Sequence, residues 1–96
     1  MQPEQQDEII RRLCSAEGHL RAVIDMVEAG QRCEQVLHQL GAVQAALHVA
    51  GARLLACQVE TSEGVIKHSP CPEERVAELN RLNNLYQMLT KYTDSK

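Results

Sequence analysis

The sequence predicts an all-α protein, and three observations carry that prediction. The 96 residues include no Phe and no Trp, yet 44% of them are hydrophobic, chiefly Leu, Val, Ala and Ile. Apolar residues recur at helical spacing, and proline occurs only at positions 3, 70 and 72. This pattern is typical of one domain, residues 1–96, made of three amphipathic helices. A core without large aromatic side chains buries little apolar area, so we expect the subunits to complete their burial in an oligomer.

The first helix should begin at Pro3 and run to about Ala29. Proline suits the first helical position, and the acidic residues that follow complement the positive end of the helix dipole. Gly30 is the kind of residue that ends a helix, and the short link at 30–32 predicts an antiparallel helical hairpin. Cys14 is expected to be a small buried residue on this helix. The apolar stripe consists of Ile9, Ile10, Leu13, Leu20, Val23, Ile24 and Val27.

The second helix should be the longest, because residues 31–63 contain no proline and keep helical apolar spacing. Its middle is rich in Ala and Gly, and such a seam of small residues lets another helix approach closely. Cys33 and Cys57 are 24 residues apart, or ~36 Å along one helix, so they cannot share a site within it. If a second copy packs antiparallel across the seam, Cys33 of one chain lies near residues 57–62 of the other.

The third helix should follow a connector at residues 65–72, with Ser69 or Cys71 as its cap. Glu73 and Glu74 fall in its first turn, where acidic side chains are favoured. The helix carries an apolar stripe that we expect to pack against a neighbouring helix. We expect the last residues, 93–96, to fray. The stripe consists of Val76, Leu79, Leu82, Leu85, Tyr86, Met88, Leu89 and Tyr92.

Charge and motifs exclude several functions. The formal net charge is −3 and the pI about 5.8, so any surface that attracts nucleic acid must be local. No continuous apolar run reaches the ~18 residues of a membrane span, so we expect a cytoplasmic protein with no membrane partner. Four cysteines without a secretory signal predict reduced thiols rather than a disulfide framework. No nucleophile motif or phosphate-binding loop is present, so we do not expect an enzyme.

Two sequence patterns point to a known family. Residues 12–21 read R-L-x-x-x-E-G-x-x-R, and residues 33–47 read C-x-x-V-L-x-Q-L-x-A-V-x-A-A-L. Together they resemble the CsoR/RcnR/FrmR family of bacterial repressors over nearly the whole chain. The resemblance implies a three-helix subunit with a long second helix, an antiparallel helical dimer, and assembly into a dimer of dimers. It also implies that an inducer at the dimer interface releases the repressor from operator DNA.

The resemblance assigns the inducer site to Cys33, the cysteine that family members use as a metal ligand or reactive thiol. Metal-sensing members place a His 25 residues later and a Cys or His 29 residues later, contributed by the other subunit; here those positions hold Gln58 and Ser62. Cys57 stands one residue earlier than the first of them, and a one-residue shift turns a side chain by ~100°.

Three interpretations of that site remain open. Cys33, Cys57 of the other subunit and His19 could bind a soft metal ion, with Cu(I), Zn(II) or Ni(II) as candidates. Alternatively, formaldehyde, a sulfur species or another electrophile could modify Cys33 without any cofactor. Lastly, Cys33 could simply be a packed residue in a degenerate site.

Arg11, Arg12 and Arg21 are the expected DNA-contacting residues, since they are the basic cluster that coincides with the family pattern. Gln44 stands where members usually carry an arginine in the second helix. The function implied by the resemblance is therefore a repressor that a metal ion or thiol-modifying inducer releases from its operator. The alternative is a metal- or thiol-binding helical oligomer that does not bind DNA.

Overall fold

A computed structural model describes residues 1–91 of the chain. They form three helices, α1 (Pro3–Glu28), α2 (Cys33–His68) and α3 (Pro72–Lys91), with no strand in that range. The all-α prediction is confirmed. Tyr92 and the expected fraying at 93–96 lie outside the described residues.

The chain divides into two compact units. One consists of residues 2–50, and the other of Met1 and the residues from 51 onward. The boundary falls within α2, so the first half of α2 belongs to the unit of α1 and its second half to the unit of α3.

α1 ends where the sequence predicts, and its end is set by backbone geometry. Gly30 has a φ of +73°, the left-handed conformation that glycine adopts without steric cost. The Gly30 N–H donates to the carbonyl of Val27 at 3.0 Å, and the Gln31 N–H donates to that of Met26 at 3.1 Å. These two bonds form a Schellman motif, which satisfies carbonyls that the helix end would otherwise leave unpaired.

The core of the first unit follows one stripe on α1 and one stripe on α2. The buried residues of α1 recur every seven positions, as do those of α2 in this unit. This spacing keeps the contacting residues on one stripe of each helix. The expected helical hairpin is present, and its core consists of Ile9, Ala16 and Val23 from α1 with Val43 and Ala50 from α2.

α2 continues five residues beyond its predicted end. The connector expected at residues 65–72 is wrong, because the helix runs through Gly64 to His68 and only residues 69–71 link it to α3. Val65 and Ile66 are half-buried in the second unit, and that burial outweighs the ~1 kcal/mol that a glycine costs inside a helix. A 2.7 Å ion pair between Glu63 and Lys67 spans the same turn.

In the second unit, α2 and α3 run antiparallel and approach closely. A Cβ atom on Gly51 would lie 2.9 Å from Cδ1 of Leu89, so glycine leaves the space that this leucine occupies. Cys71 stands at the N-cap of α3, where its carbonyl accepts the Arg75 N–H at 3.3 Å. Ser69 supports the same turn, since its hydroxyl accepts the Cys71 N–H at 3.3 Å.

The surface of α2 is unusually apolar. By length and composition alone this helix could cross a membrane, and 17% of its most apolar stretch is buried in the subunit. Helices in the core of soluble proteins meet the same criterion. α2 is therefore apolar as a whole although no continuous apolar run within it is long enough to cross a membrane.

Candidate inducer and operator sites

Cys33 is the first residue of α2, and it is exposed. The carbonyl of Arg32 accepts the Val36 N–H at 3.1 Å, which closes the first turn of the helix. The N–H groups of residues 33–35 precede that first bond and have no partner within the helix, so the helix end favours a negatively charged group. The guanidinium of Arg32 forms a 3.3 Å ion pair with Glu34. Its positive charge is therefore shared between that carboxylate and the neighbouring Cys33 thiol.

His19 lies away from Cys33 within the subunit. Its Nε2 donates a 2.8 Å hydrogen bond to the side-chain oxygen of Gln39. Gln39 is six residues after Cys33, which places it ~9 Å farther along α2. This link between α1 and α2 was not expected from the sequence, and it gives His19 a structural role in the first unit.

Cys57 is half-buried in the second unit. Its carbonyl accepts the hydroxyl of Thr61 at 3.2 Å. The residue lines an open cavity of about 420 Å³ between α2 and α3, whose wall includes Leu54, Leu55, Leu85, Met88 and Leu89. This apolar wall surrounds the second thiol of the predicted site.

Gln58 and Ser62, the two positions that depart from the family pattern, are hydrogen-bonded to each other. The amide Nε2 of Gln58 donates to the hydroxyl of Ser62 at 3.1 Å, and that hydroxyl donates to Glu78 on α3 at 2.8 Å. Ser62 is completely buried. Arg81 lies 4.0 Å from the same carboxylate, whose side chain is 17% exposed.

Glu78 is a site-adjacent residue that the sequence analysis missed. Its position has a signal, because it precedes Leu82, Leu85 and Leu89 by four, seven and eleven residues and so lies on their side of α3. All four side chains are partly buried. A carboxylate in such a stripe needs a donor, and Ser62 supplies it.

A single subunit does not assemble a metal site. Among residues 1–91, no group of three or more His, Cys, Asp and Glu side chains could hold a metal ion. Cys33 and Cys57 belong to different units, and the His19 nitrogen Nε2 is engaged by Gln39. The ligand set named from the sequence therefore does not fit a metal ion within one subunit.

The three arginines of α1 differ in their surroundings. Arg12 is half-buried and pairs with Glu8 at 3.1 Å, whereas Arg11 and Arg21 are exposed. Over the described range neither of the exposed pair forms an ion pair or hydrogen bond. On an ideal helix each lies ~140° around the axis from the buried stripe, and the two are ~15 Å apart along it. They therefore share the side of α1 that faces away from α2. Gln44 is also exposed, on α2.

The other two thiols have distinct surroundings. Cys14 is exposed, so the expectation that it is buried is wrong. Cys71 donates its thiol hydrogen to Glu73 at 3.1 Å. That hydrogen bond, with one from the Glu73 backbone, holds the pKa of the Glu73 carboxyl below its usual value.

Residues 5–91 match the family of metal-sensitive transcriptional repressors. The chain belongs to this family, whose members are transcriptional regulators rather than enzymes.

A solved structure of the same fold is that of a variant of the formaldehyde-responsive regulator FrmR from Salmonella enterica serovar Typhimurium. The two chains share 19% sequence identity with a TM-score of 0.73, over 92% of this chain and 97% of the FrmR chain. No curated protein sequence matches the chain. The family resemblance identified from the two sequence patterns is confirmed.

Proposed function

We propose that this protein is a cytoplasmic repressor that binds operator DNA as an antiparallel dimer of dimers and is released by an inducer acting at Cys33. The observation that carries the proposal is the exposed thiol at the first position of α2, in a chain that belongs to the metal-sensitive repressors. Binding of operator DNA and self-association follow from the family.

Exposed apolar surface supports the assembly. Five large apolar residues of α1 are 40% to 60% exposed, and they all fall on one side of that helix. Leu37, Leu47 and Leu54 on α2 are 65%, 47% and 42% exposed. Surfaces of this kind mark protein–protein contacts, and a second copy that packs antiparallel on α2 would cover them. The five residues of α1 are Ile10, Leu13, Leu20, Ile24 and Val27.

Two kinds of inducer suit the thiol. Cu(I), Zn(II) or Ni(II) could be bound by Cys33 together with Cys57 of a second copy, since thiolates favour soft ions. Alternatively, the Cys33 thiolate adds to the carbonyl carbon of formaldehyde, whose π electrons move to the oxygen and take up a proton, or it attacks a sulfur atom of a polysulfide and displaces the rest of the chain as a shorter polysulfide anion. In both cases the change occurs where two subunits meet, so it alters the spacing of the DNA-contacting helices.

The DNA surface is assigned to Arg11 and Arg21, with Arg12 at its edge. The two exposed guanidinium groups are available for phosphates, and a symmetric assembly repeats them on each subunit. Arg12 is partly neutralised by Glu8, so its contribution should be smaller.

Substitution of Cys33 tests the sensing role. Cys33→Ala should leave folding and operator affinity intact and abolish release by whichever compound releases the unsubstituted protein. The measurement is a DNA-release titration with Cu(I), Zn(II), Ni(II), formaldehyde and polysulfide. Cys14→Ala is the matched control, because Cys14 is also exposed but lies on α1.

The titration also separates the two kinds of site. Cys57→Ala should reduce the response only if the second thiol takes part. If Cys33→Ala responds like the unsubstituted protein, the sensing role of Cys33 is refuted. If the unsubstituted protein fails to shift the DNA upstream of its own gene, the repressor assignment fails for this chain.

A further inference from the structure

The segment at residues 57–62 offers few free groups to a second subunit. In the proposed antiparallel dimer this segment lies near Cys33 of the partner copy, so its side chains decide what the inducer site contains. Thr61 donates its hydroxyl to the carbonyl of Cys57 at 3.2 Å. Glu60 is also engaged in an interaction within the subunit.

Ser62 has no hydroxyl hydrogen left to donate to an inducer. Its hydroxyl donates to Glu78 at 2.8 Å and accepts from Gln58 at 3.1 Å. The residue has no exposed surface at all, and every contact that buries it comes from its own chain. A ligand would first have to break a hydrogen bond to a carboxylate that is itself largely buried, which is a costly step.

Gln58 is held by the same arrangement. Its amide nitrogen donates to Ser62, which turns the side chain along α2 rather than outward. Amide oxygens also suit hard cations better than the soft ions that thiolates bind. Cys57 is then the group of this segment whose chemistry complements a thiol.

We propose that Gln58, Ser62 and Glu78 form a hydrogen-bonded network between α2 and α3 that keeps the side chains at positions 58 and 62 out of the inducer site. The inference rests on the proposed function, because it concerns the site that Cys33 and a second copy would form. The site then contains two thiols, Cys33 of one copy and Cys57 of the other. Two thiolates suit a soft ion that accepts two ligands, or a thiol-reactive molecule, whereas structural Zn(II) sites require four ligands.

Cysteine substitution tests whether the side chain at position 62 is inaccessible to a reagent in solution. Ser62→Cys should alkylate with iodoacetamide at least a hundredfold more slowly than Thr61→Cys in the native protein, because residue 61 is exposed and residue 62 is not. Cys14 in the same molecules provides an internal reference for reagent and temperature. An alkylation rate at position 62 within tenfold of the rate at position 61 overturns the inference.

Metal affinity tests whether position 62 can serve the site. Ser62→Cys should bind Zn(II) within threefold of the unsubstituted affinity, measured by competition with a chromophoric chelator. A tenfold gain would show that residue 62 reaches the inducer site, and would overturn the inference. Ser62→Ala provides a second test without added bulk, since its Zn(II) affinity should also stay within threefold. A tenfold loss there would equally overturn the proposal.

Failure of the proposed function is distinguishable from failure of this inference. If release from DNA does not depend on Cys33, the proposed function fails, whereas the alkylation rates at 61 and 62 still report whether position 62 is sealed. If position 62 is reactive while release still depends on Cys33, only the proposal that the hydrogen-bonded network keeps position 62 out of the inducer site is refuted.

Discussion

Replacement of Ser62 by alanine should destabilise the protein by about 2 kcal/mol. The substitution removes a 2.8 Å hydrogen bond from a fully buried hydroxyl to the carboxylate of Glu78. Hydrogen bonds to charged groups stabilise by ~1.5–3 kcal/mol, and a buried partner left unsatisfied adds to the loss. The guanidinium of Arg81, 4.0 Å from that carboxylate, limits the loss because it can move closer.

Thr61→Ala is the matched control. Thr61 precedes Ser62 on the same helix and also donates its hydroxyl, but it is exposed and bonds to a carbonyl of its own helix. Water can replace that bond, and alanine favours the helix more than threonine does. The expected change in the free energy of unfolding is therefore within ~0.5 kcal/mol of zero.

The assay is urea unfolding followed by circular dichroism. Protomer concentration must be the same for all variants, because the stability of an oligomer depends on it. Glu78→Gln extends the series, since its amide oxygen still accepts from Ser62 and should preserve more stability than Glu78→Ala. If Ser62→Ala and Thr61→Ala differ by less than ~0.5 kcal/mol, the buried network does not stabilise the hairpin and the reasoning is refuted.

Three further predictions concern assembly, DNA and pH. Ala46→Glu places a charge in the small-residue seam of α2 and should shift sedimentation toward monomer; an intact oligomer would mean that the seam lies elsewhere. Arg11→Gln and Arg21→Gln should each lower the slope of log K against log salt by about one for each lost phosphate contact, and an unchanged slope would exclude them as contacts. Cys71→Ala should raise the pKa of Glu73 toward its ordinary value in an NMR titration, whereas Cys71→Ser should keep it low; equal values would contradict the thiol's role.

The sign of the last effect follows from the direction of the shift. Glu73 has a folded-state pKa below its ordinary value of 4.5, so its ionised form is favoured by folding. The corresponding stabilisation is present above pH 4.5 and is lost as the pH falls through the lowered pKa. Cys71→Ala should therefore lower stability at neutral pH, where Glu73 is ionised, and the difference from the unsubstituted protein should disappear as the pH falls below the lowered pKa.

The ends of the helices show what sequence patterns can and cannot specify. Pro3 and Gly30 set the limits of α1 through backbone chemistry that is local, so the prediction was correct within about one residue. The predicted end of α2 at residue 63 was wrong because the cost of Gly64 inside a helix is small and can be offset by burial of its neighbours. That burial depends on α3, which lies on the far side of a turn, and no local pattern reports it.

The sequence could predict which residue types belong to the candidate site, but it could not predict which side chains are hydrogen-bonded to each other. Cys33 at the start of a helix could be located from the sequence alone. The partnership of Ser62 with Glu78 joins residues 16 positions apart on different helices, and only the antiparallel packing of α2 and α3 brings them together. Cys14 shows that apolar neighbours in the sequence do not by themselves place a residue on the buried side of a helix, since its side chain is exposed.

The distribution of apolar surface links folding to sensing in the proposed assembly. Among residues 1–91, the buried apolar side chains are five, and two of them are alanines, whereas fifteen large apolar side chains are at least 38% exposed. Burial of apolar surface stabilises by ~25 cal/mol per Å², so a core this small contributes little beside what an interface on α1 and α2 could add. In the proposed assembly, the interface would supply much of the free energy that keeps each subunit folded. In the proposed function, an inducer bound within that interface would act on the element that also sets the spacing between the DNA-contacting helices, so a change at one thiol would alter operator affinity without touching an arginine.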